Sequence, residues 1–179
     1  RAEAILEGME NSNNQRIHPD TVSYNIVLDA WARSGSKDAG FEAERVLNRM
    51  LERSKQGFTN VEPDINSYNT VMNAWAKTGG VDSAKRAEAI LERMENSSNK
   101  RIHPNTVSYS TVLDAWARSG SKDAGFQAER VLNRMLERSK QGFTQAEPDI
   151  LSYNAVMNAW AKTGGTESAN CSEAILERM

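Results

Sequence analysis

The sequence predicts an all-α protein, a solenoid of stacked helix-turn-helix repeats, and three observations carry that prediction. The stretch from Pro63 to Gly80, PDINSYNTVMNAWAKTGG, recurs in variants that start at Pro19, Pro104 and Pro148. Counted from residue 21, successive repeats run 44, 41 and 44 residues, a period within the ~20–50 residues typical of arrays whose single units cannot bury their own apolar face. Each variant opens on a proline turn, continues as an amphipathic helix pattern and closes on glycine.

Taken in order, residues 1 to about 12 read as a second helix, with Ala2, Ile5, Leu6 and Met9 at i, i+3, i+4 and i+7. Asn11 to Arg16 contain no apolar residue and read as a polar loop, and His18-Pro19-Asp20 stops and restarts the chain. Asp20, Asp64, Asn105 and Asp149 are natural N-caps. First helices are expected over 21–34, 65–78, 106–119 and 150–163, with Tyr24, Val27, Leu28 and Trp31 as the first apolar face. Gly35, Gly79, Gly120 and Gly164 stand where these helices should end. Second helices are expected over 38–54, 81–97, 123–139 and 167–179, buried in the first unit through Ala43, Val46, Leu47 and Met50. The resulting division is 1–20, the second helix and linker of a truncated repeat, then repeats 21–64, 65–105 and 106–149, and a truncated repeat over 150–179.

Residues 1–94 align with 86–179 without a gap and differ at sixteen pairs, so two units are duplicated as a block. Because Arg1 to Leu6 matches Arg86 to Leu91 inside a repeat, the sequence is expected to be a fragment of a longer protein, with any targeting peptide outside it.

No run approaches the ~18 apolar residues of a membrane span. Cys171 is the single cysteine, which excludes an internal disulfide and leaves a cysteine-based zinc site unsupported. His18 and His103 precede prolines in loops without companion ligands at metal spacing and read as linker residues. Neither a His-x-Glu with Cys-x-x-Cys pattern nor a phosphate-cradling Gly-x-x-x-x-Gly-Lys loop occurs, so no catalytic activity, no cofactor and no small-molecule substrate is expected. The net charge of −2 gives no bulk signature of a nucleic-acid binder; only a local basic stripe can supply one.

The text Pro-Asp-x-x-Ser-Tyr-Asn-x-Val, then Ala-Trp-Ala-Lys/Arg-x-Gly, then Ala-Glu-x-Ile/Val-Leu-x-Arg-Met resembles the pentatricopeptide repeat family over nearly the whole chain. The units are longer than the family's usual ones, with extra residues between the helices and after the second that look like loops. The resemblance implies a right-handed superhelix that binds single-stranded RNA, one base per repeat, in the processing, stability, editing or translation of transcripts in a mitochondrion or plastid. It assigns base reading to Asn25 with Asp64, Asn69 with Asn105, and Ser110 with Asp149, suggesting uracil, cytosine and guanine or another purine, and to Asn154 for a fourth base. Val22, Asn66, Val107 and Leu151 would sandwich bases, with weaker contact at Asn66. Arg33, Lys77, Arg118 and Lys162 would meet phosphate and form the local basic stripe.

The residues themselves agree in part. Val22, Asn25, Asp29 and Arg33 form a stripe apart from the Tyr24/Leu28/Trp31 face, and an asparagine amide offers a donor beside an acceptor, which suits a pyrimidine edge. Three of the block differences, Asp20 against Asn105, Asn25 against Ser110 and Asn66 against Leu151, fall at positions with such assignments. Plainer readings stand beside these. Capping alone explains the boundary Asp and Asn residues, and compensation of the helix dipole, worth ~0.3–1 kcal/mol, explains the basic residues near helix ends. Tyr24, Trp31 and their repeats read as core, and the charged residues of the second helices as solvated faces with i,i+4 pairs. The alternative function is a protein-binding scaffold of the tetratricopeptide type, although that family's ~34-residue unit and its Gly-x-x-Tyr spacing are missing; protein partners remain open beside RNA, and no membrane is expected.

Overall fold

The computed structural model describes residues 1–164 and 166–177, with 166 and 167 described by backbone alone. Among these residues it is all-helical: α1 (Ala2–Glu10), α2 (Thr21–Arg33), α3 (Ala39–Lys55), α4 (Ile65–Thr78), α5 (Val81–Glu95), α6 (Thr106–Arg118), α7 (Ala124–Lys140), α8 (Ile150–Thr163) and α9 (Thr166–Glu177). The predicted first helices are found within a residue of their expected ends. The last second helix was expected to reach 179, and Arg178 and Met179 lie outside the described residues.

The first helices begin where they do because each carries a reciprocal cap. Asp20 is extended at φ −115°, and its Oδ1 accepts from the Ser23 N–H at 2.8 Å while the Asp20 N–H donates to Ser23 Oγ at 3.3 Å. These bonds, the Ser23 backbone first and its hydroxyl second, hold the Asp20 carboxyl below its ordinary value. The same box opens α4, α6 and α8 on Asp64, Asn105 and Asp149. At the other end Gly79, at φ +76°, ends α4 in a conformation that L side chains avoid and leaves only Gly80 before α5.

Two layers result. Helices α2, α4, α6 and α8 pack side by side, and α3, α5 and α7 each sit between two successive first helices. The core is the seam between the layers: Tyr24, Leu28, Met50, Met72, Leu91, Tyr109, Leu113 and Met135 are fully buried. Trp116 is buried, and Trp31, Trp75 and Trp160 are half-buried against the same cluster, as the core reading requires.

Two expectations are corrected. The links before each first helix are ordered rather than plain loops, with 3₁₀ turns at Gln15–Ile17, Thr59–Val61, Lys100–Ile102 and Thr144–Ala146. Val61, Ile102 and Ala146 are buried, apolar side chains too isolated to show a period in sequence. The longer links also dock sideways. Thr21 Oγ1 lies 2.8 Å from the Glu62 carbonyl and 3.1 Å from that of Asn60, and Thr106 repeats this with Glu147 and Gln145. The two histidines belong to these links: His18 Nε2–H donates to the Ser12 carbonyl at 2.9 Å, and its ring meets Phe58 edge-on.

The second correction concerns the charges of the second helices. Pairs along one helix do occur, such as Lys55–Glu52 and Lys140–Glu137, but the central arginines reach across to the next second helix. Arg134 of α7 pairs with Glu88, Glu92 and Glu95 of α5, and Arg49 of α3 with Glu3, Glu7 and Glu10 of α1. Glu88 is only 4% exposed and also accepts from Arg130 and from Trp116 Nε1 at 2.9 Å, so a buried carboxylate is held by partly exposed arginines, and loss of one donor costs about 1–3 kcal/mol.

Close packing makes two glycines opposite in effect. A Cβ on Gly40 would lie 2.3 Å from Trp75 Cε3, whereas one on Gly8 would meet nothing within 4 Å. Gly40→Ala should therefore destabilise the chain by about 1–3 kcal/mol through overpacking, while Gly8→Ala should stabilise α1 by up to ~1 kcal/mol; thermal unfolding followed by circular dichroism checks both signs. The buried tyrosines give a pH prediction. Burial first, and then the hydrogen bond donated to Glu95 at 2.7 Å, raises Tyr109 above its ordinary value of 10.0. That contribution is fully present below pH ~10 and is lost as pH rises beyond it, so Tyr109→Phe should flatten the alkaline fall in melting temperature.

Candidate nucleic-acid interface

Stacking α2, α4, α6 and α8 side by side brings the same helical positions of successive units together, so candidate residues distant in sequence become neighbours. Asn25 of α2 donates from Nδ2 to Asp64 Oδ1, the cap of α4, at 3.3 Å. The two residues assigned to one base are thus in contact, half-buried, across a repeat boundary. Asn69 and Asn105 sit at the equivalent places on α4 and before α6, and Ser110 and Asp149 on α6 and before α8. Asn69, Asn105 and Ser110 are half-buried, and Asp149 and Asn154 are exposed.

The residue that joins each pair is a serine absent from the sequence reading. Ser67, Ser108 and Ser152 are fully buried. Ser67 Oγ lies 2.7 Å from Asn25 Oδ1 and 3.0 Å from Asp64 Oδ1. Ser108 Oγ lies 2.7 Å from Asn69 Oδ1 and 3.1 Å from Asn105 Oδ1, and Ser152 Oγ 3.1 Å from Ser110 Oγ and 2.9 Å from Asp149 Oδ1. A hydroxyl has one proton, and the shorter contact assigns that of Ser67 to Asn25. The Asn25 amide is then fixed with Oδ1 toward Ser67 and Nδ2 toward Asp64. The signal was present in the recurrent Asp/Asn-x-x-Ser, but a cap explains that spacing without any contact to the previous unit.

Exposed apolar side chains stand near the starts of three of the first helices. Val22, Val107 and Leu151 are 62%, 57% and 64% exposed, unusually open for such side chains, and Asn66 holds the matching place on α4. Val107 and Leu151 line a cleft of about 290 Å³ between α6 and the start of α8, with Ser110, Asp149 and Asp114 on its wall and Asn73 of α4 at its side. A cleft lined by two apolar side chains and a polar pair is suited to a flat ring with hydrogen-bonding edges.

The four basic residues are all exposed but differently engaged. Arg33 and Arg118 form ion pairs with Asp29 and Asp114 one turn earlier, both at 2.8 Å. Lys77 Nζ donates to the Ala32 carbonyl at 3.1 Å and Lys162 Nζ to that of Ala117 at 2.9 Å, so each lysine caps the end of the preceding first helix. The dipole reading holds for the lysines, across the repeat boundary rather than within their own helix. A wider cleft of about 750 Å³ opens on the other layer, lined by Glu95, Phe126, Arg130, Arg134 and Arg138 among others. Among the described residues no helix is long and apolar enough to cross a membrane.

A family model described as a pentatricopeptide repeat domain matches residues 55–119 and again residues 96–163. The two windows overlap, start one unit apart and together take in more than half of the chain. Comparison with curated proteins returned no match. With stacked helical hairpins and this match, the chain belongs to the pentatricopeptide repeat family, whose members are typically RNA-binding repeat proteins.

Proposed function

We propose that this chain binds single-stranded RNA along the face formed by α2, α4, α6 and α8, one base per repeat, with repeats at 21–64, 65–105, 106–149 and from 150, in the metabolism of organelle transcripts. The observation that carries the reading is the cleft between α6 and α8, which Val107 and Leu151 line together with Ser110 and Asp149. Bases at the three pairs would be uracil at Asn25/Asp64, cytosine at Asn69/Asn105 and guanine or another purine at Ser110/Asp149, with Asn154 contributing to a fourth. Stacking is worth ~1–3 kcal/mol per base, partly offset by the cost of association, so this length binds weakly by itself.

Fluorescence anisotropy with short labelled RNAs at low and moderate salt tests the proposal. Binding to single strands that weakens with salt is expected; equal binding to duplex, or none, rejects it. Asn25→Ser converts the first pair to the Ser/Asp type found at Ser110/Asp149 and should move its preference from uracil toward guanine without shifting the melting temperature by more than a few degrees. Ser67→Ala should cost about 1–2 kcal/mol of stability by removing a buried hydroxyl that two partners share. Because that hydroxyl orients Asn25, it should also flatten the discrimination among bases at the first position while leaving the third unchanged, an effect that a purely structural serine does not produce.

A further inference from the structure

The basic residue of each first helix is expected to do the same work in every unit, yet the surroundings alternate. Behind their caps, α2 and α6 offset their one basic residue with Asp29 and Asp114, where α4 and α8 have Asn73 and Asn158. The offset is a contact, with Arg33 and Arg118 Nε 2.8 Å from the carboxylates of Asp29 and Asp114. Lys77 and Lys162 instead donate to neutral carbonyls. Such a bond sets the ammonium against a partial helix-end charge rather than a full carboxylate and leaves two of its three N–H donors for other partners.

Resting on the RNA reading above, we infer that phosphate contact alternates along the array: Lys77 and Lys162 hold the backbone, and Asp29 and Asp114 mask Arg33 and Arg118. The two carboxylates are positioning residues that act through their arginines. Asp114 lies in addition on the wall of the cleft that holds Ser110 and Asp149, so a nucleotide entering there brings its phosphate toward a carboxylate already paired with Arg118. An exposed i,i+4 pair is worth only about a factor of two, so the mask is light and a single substitution lifts it.

The test is anisotropy of the 179-residue chain with a short labelled single-stranded RNA across a salt series. Lys77→Ala should reduce the slope of log K against log salt by about 0.7, the value of one phosphate on a single strand, and Arg33→Ala by much less. Asp114→Asn should raise affinity about twofold or more and steepen the slope. In an Arg118→Ala background that gain should vanish, since the cycle isolates the pair. Glu137→Gln, which removes one negative charge from the other layer, controls for net charge and should change affinity by less than the Asp114 variant. Should Lys77→Ala unfold the chain, Asp29→Asn decides alone, since it leaves the Lys77 contact in place. Equal slopes for the Lys77 and Arg33 variants, or a gain from the Asp variants that persists without the arginine, overturns the alternation while leaving RNA binding intact. No RNA binding by the unsubstituted chain overturns both.

Discussion

The array depends on one kind of hydroxyl, the buried serine at the third position of α4, α6 and α8. Ser67, Ser108 and Ser152 each belong to two structures at once. Within the unit the serine closes the cap that starts the helix, and across the boundary it bonds a side chain 39 to 42 residues earlier. An apolar seam sets register only through the fit of its side chains, as where Trp75 lies against Gly40, and contributes no directional bond. A buried hydroxyl left without its partner costs ~1–3 kcal/mol, so the polar contact fixes how far each first helix advances on the last. The same contact fixes where the candidate base-reading groups stand, which ties the local start of a helix to the geometry of the whole face.

The outer layer solves a different problem. Second helices pack against first helices on either side rather than chiefly on each other, which leaves gaps between neighbours that small apolar side chains cannot close. Arg134 spans one such gap to three glutamates and Arg49 another. Long side chains bury their stems and keep their charges together, so the layer is polar at its surface yet continuous. Most acidic side chains of the second helices are thereby held by arginines of their own layer, while on the first-helix face Lys77 and Lys162 stand on helices with no acidic residue of their own.

Much of this was legible in the sequence. Caps and glycines mark the first helices to within a residue because Asp20, Asp64, Asn105, Asp149 and Gly79 act through bonds made within four residues of themselves. The repeat carries the rest of the fold, since any residue on one copy must align with its equivalents when copies stack. What stayed hidden depends on contacts between units. Arg134 and Glu92 look like members of ordinary helix faces until α5 and α7 are side by side, and Val61 looks like a stray apolar residue until its turn docks on α2. Of the candidate site, the pairing of Asn25 with Asp64 followed from resemblance, but the serine beneath it did not, because capping fully accounts for that serine in one unit alone.

Capping and base reading need not compete for the boundary residue. A cap consumes one oxygen: Asp64 Oδ1 accepts from the Ser67 N–H at 2.9 Å, and Asn105 Oδ1 from the Ser108 N–H at 3.1 Å. Those bonds are alike in the two residues and carry no information. The atom that differs is the other one, an anionic oxygen in aspartate and an NH₂ in asparagine. After both helices are capped, one boundary still offers an acceptor and the other a donor. An acceptor favours bases that present N–H groups along their pairing edge, and a donor favours those that present ring nitrogen or carbonyl lone pairs. The exchange of aspartate for asparagine between otherwise matched units therefore preserves the helix while changing what a nucleotide would meet. Stability constrains one half of the side chain and leaves the other half available for recognition.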